Sequence, residues 1–412
     1  MQSNFVLEGP LDSLVQQFLN SRTYSTDLVK DLSPEDCQAQ SMDETSPTKW
    51  HLAHVTWFYE VMVLKQHEVD FCYWNSQYAI LFNSYYNIIG DKHPRPKRGL
   101  LTRPVLKEVL EWRKNIDQRV VTLLKNNPSD EIKWLIKLGI NHEQQHQELI
   151  LTDLQHLFSC NSLNPSFGKA GKAPPQFAKN SIWISYGSGL QSVGTSSSGF
   201  HFDNEGPEHK VYLQDCYLSS TLVSNNEWLV FMNDGGYQNS NWWLDEGWAW
   251  VQQEGVKNPL YWHKNTEKNT FLQFALEGSL PLNPHSAVRN ISYFEADAYA
   301  RWASENLPNS KGARLPTEFE WEVFASNKPS LFEDLFDAVW QWTSSSYSPY
   351  PGYRAWSGLA GEYNGKFMIN QMVLKGSSAF TSPKHSRNTY RNFFPTQARW
   401  QMTGLRLAKD FC

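Results

Sequence analysis

Asp130 to Phe158, DEIKWLIKLGINHEQQHQELILTDLQHLF, contains no proline and a single glycine, Gly139. Ile132, Leu135, Leu138, Leu149, Leu154 and Leu157 recur through it as an apolar stripe, which predicts one long amphipathic helix. Within it, His142 and His146 lie one helical turn apart, so both imidazoles point the same way and can share one metal ion. With 12 histidines in 412 residues, such a pair is a weak signal by itself. A second cluster strengthens it: Lys49-Trp50-His51-Leu52-Ala53-His54 opens another helix, with Ser46 as the expected N-cap and Pro47 in the first turn. That helix is the expected source of a third ligand.

Two further segments, Leu11 to Arg22 and Pro104 to Asn126, join Pro47 to His67 and Asp130 to Phe158 as four amphipathic stretches of bundle length. Between the second and third lie Phe82-Asn83-Ser84-Tyr85-Tyr86 and His93-Pro94-Arg95-Pro96-Lys97-Arg98-Gly99. A connection this long, with aromatic and arginine content foreign to a solvated linker, is expected to be functional. Asn161 to Gln176, rich in Gly, Pro, Lys and Ser, reads as a linker. Beyond it the pattern becomes loop-rich α+β, with short apolar runs at Ile182 to Tyr186 and Val211 to Leu218, and short helices near Asn225 to Asn233 and Ser292 to Ser304. The expected organisation is therefore a bundle over 1–160, a linker over 161–177 and a second domain over 178–412.

A net charge of -5 provides no basic field for nucleic acid or an anionic membrane. Cys37, Cys72, Cys160, Cys216 and Cys412 are scattered and form no CxxC, which argues against a disulfide framework or a cysteine zinc site and for a reducing compartment. Neither a leader pattern nor a membrane-length apolar run is visible, so the expectation is a soluble, cytoplasmic protein. The 18 Trp, 18 Tyr and 23 Phe suit aromatic-walled pockets and dense core packing alike.

The second half carries ordered phrases: Asn290-Ile291-Ser292-Tyr293-Phe294-Glu295-Ala296, Ala313-Arg314-Leu315-Pro316-Thr317-Glu318-Phe319-Glu320-Trp321-Glu322, Val339-Trp340-Gln341-Trp342-Thr343, Val373-Leu374-Lys375-Gly376-Ser377-Ser378 and Gly404-Leu405-Arg406-Leu407-Ala408. Over about Asn180 to Phe411 they resemble the formylglycine-generating-enzyme-like domain, whose fold is C-type-lectin-like. The copper-binding cysteines of that enzyme have no counterpart here, because Cys216 and Cys412 lie outside the late catalytic region. The first half resembles a DinB-like four-helix bundle. The combination, with Trp50-His51, His142-Glu143-Gln144-Gln145-His146 and the Tyr85-Tyr86 stretch, resembles the ergothioneine-biosynthesis sulfoxide synthases over nearly the whole chain.

That resemblance implies a multi-domain α plus α+β protein in which His51, His142 and His146 hold one Fe(2+), with His54 the competing candidate for the first position. Three neutral imidazoles on one face of an octahedral ion leave room for a thiolate, an acceptor imidazole and dioxygen. The implied reaction joins cysteine or γ-glutamylcysteine to C2 of hercynine using O2. Tyr86, then Tyr85, is the implied acid; Arg95 and Arg98 the carboxylate fork; Gln145 a partner for the acceptor; Trp400 and Phe394 an aromatic wall for its trimethylammonium group. A selenium donor, or histidine as acceptor as in ovothiol synthesis, stays open. Two readings from other classes also stand: a zinc peptidase with Glu143 as base and His156 as a downstream ligand, and a lectin-like binding module on a helical scaffold.

Overall fold

The computed structural model describes residues 11–168 and 181–411. Four long helices form where the apolar periodicity puts them: α1, Leu11–Asp27; α2, Thr48–Phe58; α3, Leu106–Lys125; and α4, Asp130–Ser159. The start of α4 is fixed by Ser129, whose hydroxyl accepts from Ile132 N, and by Asp130 and Glu131 in the positive first turn.

α2 is the buried centre of this part. Every residue from Thr48 to Leu64 is buried, as the helix passes into a π-helical run over Tyr59–Leu64. Its partner α4 makes room for it at Gly139: a Cβ there would lie 2.5 Å from Tyr59 Cε1. Ser46 does not cap α2. Pro47 holds the N-cap position without a side-chain bond. Ser46 instead donates its backbone N–H to Asp153 Oδ2 at 2.8 Å, and its hydroxyl accepts from Arg98 Nη1 at 2.8 Å.

The long connection between α2 and α3 is shaped by side chains. Asn83 Oδ1 accepts from Tyr86 N at 3.0 Å and its Nδ2 donates to Tyr86 O at 2.9 Å. Farther on, Gln40 Oε1 accepts from Gly99 N at 2.6 Å, and Lys49 Nζ donates to Leu101 O at 2.7 Å. Buried backbone without a regular ladder is satisfied by these bonds.

Chain contacts define two compact units: Met1–Ala170 with Ser197–His201 and Ala355–Tyr363, and Gly171–Ser196 with Phe202–Arg354 and Asn364–Cys412. The helical unit thus includes two segments drawn from far along the chain, which the expected boundaries left to the second domain. The expected linker over 161–177 lies partly outside the described residues. Among the described residues, no helix is long and apolar enough to cross a membrane.

The second unit is α+β. One four-stranded sheet runs in the order Trp183–Tyr186, Cys216–Ser219, Ala408–Asp410, Ala313–Arg314; another runs Asn392–Phe394, Met372–Gly376, Trp340–Ser346, Thr403–Gly404. A two-stranded and a three-stranded antiparallel sheet complete it among the described residues. The ordered phrases of the sequence are its framework. Ser292 with Glu295 and Thr317 with Glu320 are capping boxes that start the helices Tyr293–Asn306 and Glu318–Asn327. Trp321 Nε1 donates to Gln341 Oε1 at 2.8 Å, and the fully buried Arg406 donates to the same oxygen at 3.0 Å and to Ser219 O at 2.9 Å. Lys375 Nζ reaches Glu322 Oε2 at 3.0 Å, both side chains buried. Cys216 is buried in the core, where burial pushes its thiol up to about 12.

Candidate metal centre

Three imidazoles converge in the helical unit: ligand atoms of His54, His142 and His146 lie within 4.8 Å of one another. His54 comes from α2 and the other two from successive turns of α4. His54 Nδ1 lies 2.7 Å from the carbonyl oxygen of Phe82, which can only accept, so Nδ1 carries the hydrogen and Nε2 a lone pair. That Nε2 is buried with no partner, as are both ring nitrogens of His142. Burial, reinforced by the neighbouring histidines, holds His54 and His146 well below the ordinary histidine range; burial brings His142 down to about 3. Buried, unsatisfied nitrogens on His54 and His142 cost free energy, and a metal cation held between them and His146 would remove that cost.

His51, the residue expected in this trio, lies beside it and is engaged elsewhere. Its Nε2 meets Asp153 Oδ2 at 3.0 Å and its Nδ1 meets His146 Nδ1 at 2.8 Å. His51 and His54 share one face of α2 a turn apart, so spacing does not separate them; their hydrogen-bond partners do.

Glu143, the would-be zincin base, is turned away and fully buried. Arg22 Nη1 donates to its Oε2 at 3.0 Å, while Ser25 Oγ, at 2.6 Å, and Arg113 donate to its Oε1. Burial would raise this carboxyl, but Arg113 and Arg22 outweigh it and hold it at about 2. A carboxylate so committed is no general base for a metal-bound water. His156, the expected downstream zinc ligand, instead bonds Ser41 Oγ through Nδ1 at 2.7 Å.

The two arginines expected to act together part company. Arg98 is buried, its guanidinium 3.3 Å above the Trp50 ring, and His54 stacks on Trp50 at 4.7 Å. It donates to Ser46 Oγ, its Nε has no partner, and no carboxylate pairs with it among the described residues. Burial, then the neighbouring Arg95, pushes it down to about 8, against a smaller upward pull from Asp153. Such a cation is prepared for an incoming anion. Arg95 is exposed, and among the described residues its guanidinium donates to Glu44 O at 3.5 Å.

Tyr86 is fully buried, stacked on Tyr85 at 4.5 Å with the hydroxyls 3.4 Å apart, and burial holds it well above the ordinary tyrosine range. It reaches the histidines through Trp57, whose ring lies 5.4 Å from Tyr86 and 5.4 Å from His54. A different tyrosine touches the trio directly. Tyr363, in the late segment that joins the helical unit, lies edge-on to His142 at 5.8 Å and donates its hydroxyl hydrogen to Gln145 Oε1 at 2.5 Å. Trp356 of the same segment packs on Trp134 of α4 at 4.9 Å. Sequence reading assigned Gln145 a role but missed Tyr363, because nothing local marks it. Trp400 and Phe394 lie in the second unit, edge to face at 6.0 Å.

Comparison with known families agrees with this architecture. Residues 17–150 match the DinB superfamily, and residues 166–330 match the sulfatase-modifying factor enzyme 1-like domain. The hercynine oxygenase of Mycolicibacterium thermoresistibile is 26% identical, with 96% of this chain and 94% of that protein covered. Its counterpart in Mycolicibacterium smegmatis is 27% identical over 89% of this chain and 91% of that protein. The formylglycine-generating enzyme of Thermomonospora curvata matches 37% of this chain and 51% of its own length, at 29% identity. The class is thus a DinB-type helical unit joined to a sulfatase-modifying-factor-like domain, and the protein is an enzyme of the oxidoreductase kind. More narrowly, it is similar through nearly its whole length to these hercynine oxygenases.

Proposed function

We propose that the protein is a mononuclear non-haem Fe(II) enzyme that uses O2 to join cysteine or γ-glutamylcysteine to C2 of hercynine as a sulfoxide. The overall change balances: the thiol S–H and imidazole C2–H bonds are lost, a C–S bond and an S–O bond form, and O2 supplies the sulfoxide oxygen and one water. The carrying observation is the group of buried, unpartnered nitrogens on His54 and His142 beside His146. Those three residues fit the ion and would hold it. When bound, Fe(II) supplies a place where thiolate, imidazole and dioxygen meet, and it lowers the thiol pKa.

The chain's own groups perform the remaining tasks. Arg98, lacking a carboxylate of its own, binds a substrate carboxylate, held flat by Trp50. Tyr363 holds a proton beside His142 and is positioned by Gln145. Tyr86 and Tyr85 extend that wall and keep water out. Glu143 serves the fold, which removes the peptidase reading's base.

The test is anaerobic reconstitution with Fe(II), followed by oxygen consumption with hercynine or histidine against cysteine, γ-glutamylcysteine and a selenium donor. Mass spectrometry of the product identifies donor and position of attachment. Failure of every pair to yield a coupled product overturns the proposal.

A further inference from the structure

We propose that His51 is a positioning residue for His146: together with Asp153 it fixes the tautomer in which His146 presents Nε2 as a lone pair. The inference rests on the reading of His54, His142 and His146 as a metal centre, and its argument is a count of hydrogens. The Asp153 carboxylate offers only acceptors, and its Oδ2 receives the Ser46 backbone N–H at 2.8 Å and His51 Nε2 at 3.0 Å. His51 Nε2 therefore carries a hydrogen. A neutral imidazole carries a single ring hydrogen, so with that hydrogen on Nε2 the His51 Nδ1 accepts. Across the 2.8 Å contact between the two Nδ1 atoms, His146 must be the donor. Its remaining nitrogen, Nε2, is left bare for the metal.

The relay ties two helices together. Asp153 follows His146 by two turns of α4 and so shares its face, whereas His51 comes from α2 one turn before His54. A single carboxylate thereby sets the hydrogen on His51, the hydrogen on His146, and the separation of α2 from α4 where the ligands meet. The same Asp153 oxygen receives the backbone N–H of Ser46, whose hydroxyl holds Arg98. His51 acts on the metal only through His146, which distinguishes it from a ligand.

Full-length His51→Leu, His51→Gln, Asp153→Asn and His142→Ala proteins are titrated anaerobically with Fe(II), and with Co(II), whose absorption spectrum reports its ligand set. Far-UV circular dichroism monitors folding. His51→Leu should weaken metal binding about 10–100-fold, as loss of an orienting partner does. His51→Gln, whose amide oxygen can accept from His146 Nδ1, should recover most of that loss and keep the parent's Co(II) spectrum. Asp153→Asn, able to offer a donor or an acceptor, should fall between. Binding in both His51→Leu and Asp153→Asn within about twofold of the parent overturns the relay. So does loss of metal in His51→Gln as complete as in His142→Ala, since that would make His51 a ligand. If His51→Leu does not fold, the Gln and Asn variants decide alone. Failure of the metal-centre reading looks different: the parent then binds no more tightly than His142→Ala.

Discussion

The Tyr363 hydroxyl donates to Gln145 Oε1 at 2.5 Å, joining residues 218 positions apart in the chain, one residue before the metal-site His146. The contact brings a phenol to the edge of the His142 ring. Tyr363→Phe keeps that ring and removes the proton. Turnover is expected to fall about 10²–10⁴-fold, the range for a lost general acid, with Fe(II) affinity unchanged. Tyr86→Phe should cost less, because its hydroxyl faces Tyr85. Kinetics and metal titration on the same preparations check this; a larger loss in Tyr86→Phe returns the acid's role to Tyr86.

Glu143→Gln distinguishes a structural glutamate from a catalytic one. It leaves Arg113 buried without its carboxylate, although Arg22 keeps Asp117 at 2.6 Å, at an expected cost of about 3–5 kcal/mol in stability, while the folded fraction still turns over. The pH dependence has a definite sign. The folded carboxyl sits at about 2 against an ordinary 4.5, so its contribution is complete above about pH 4.5 and is lost as the pH falls through about 2. Melting temperatures measured across that window should fall less steeply in the variant than in the parent.

Arg98→Met tests whether a buried, uncompensated guanidinium is kept for binding. A structural arginine would lower the melting temperature when removed. Here the variant should melt at the same temperature or higher, because an unpaired buried charge is gone. The KM for the thiol substrate should rise about 10–100-fold, the worth of a charged hydrogen bond. Thermal melts and steady-state kinetics give both readings.

Gly139→Ala sets helix propensity against packing. Alanine favours α4 by about 1 kcal/mol, but its Cβ would fall 2.5 Å from the Tyr59 ring, which Phe18 and Phe58 hold edge-on at 5.0 and 5.8 Å. The expected net effect is a loss of about 1–3 kcal/mol, read from urea unfolding.

The four helices were legible because unbroken 3.6-residue periodicity and the lack of proline are properties of the local chain. The second unit was legible through Ser292, Glu295, Thr317, Glu320, Gln341 and Arg406, which cap helices or satisfy buried backbone. The choice between His51 and His54 was not legible. It depends on which ring meets Phe82 O and which meets Asp153, partners supplied from elsewhere in the chain. Tyr363 was hidden for the same reason. The paired reading of Arg95 and Arg98 came from the family resemblance, whereas a 3₁₀ turn over Arg95–Leu100 buries one and leaves the other exposed.

The helical unit claims Ala355–Tyr363 from a stretch of chain otherwise belonging to its neighbour. Recombination that swaps the first half of this protein for a homologue's would separate His142 and Gln145 from the Tyr363 they pack against. A chimera that exchanges the helices would need this short loop transplanted along with them.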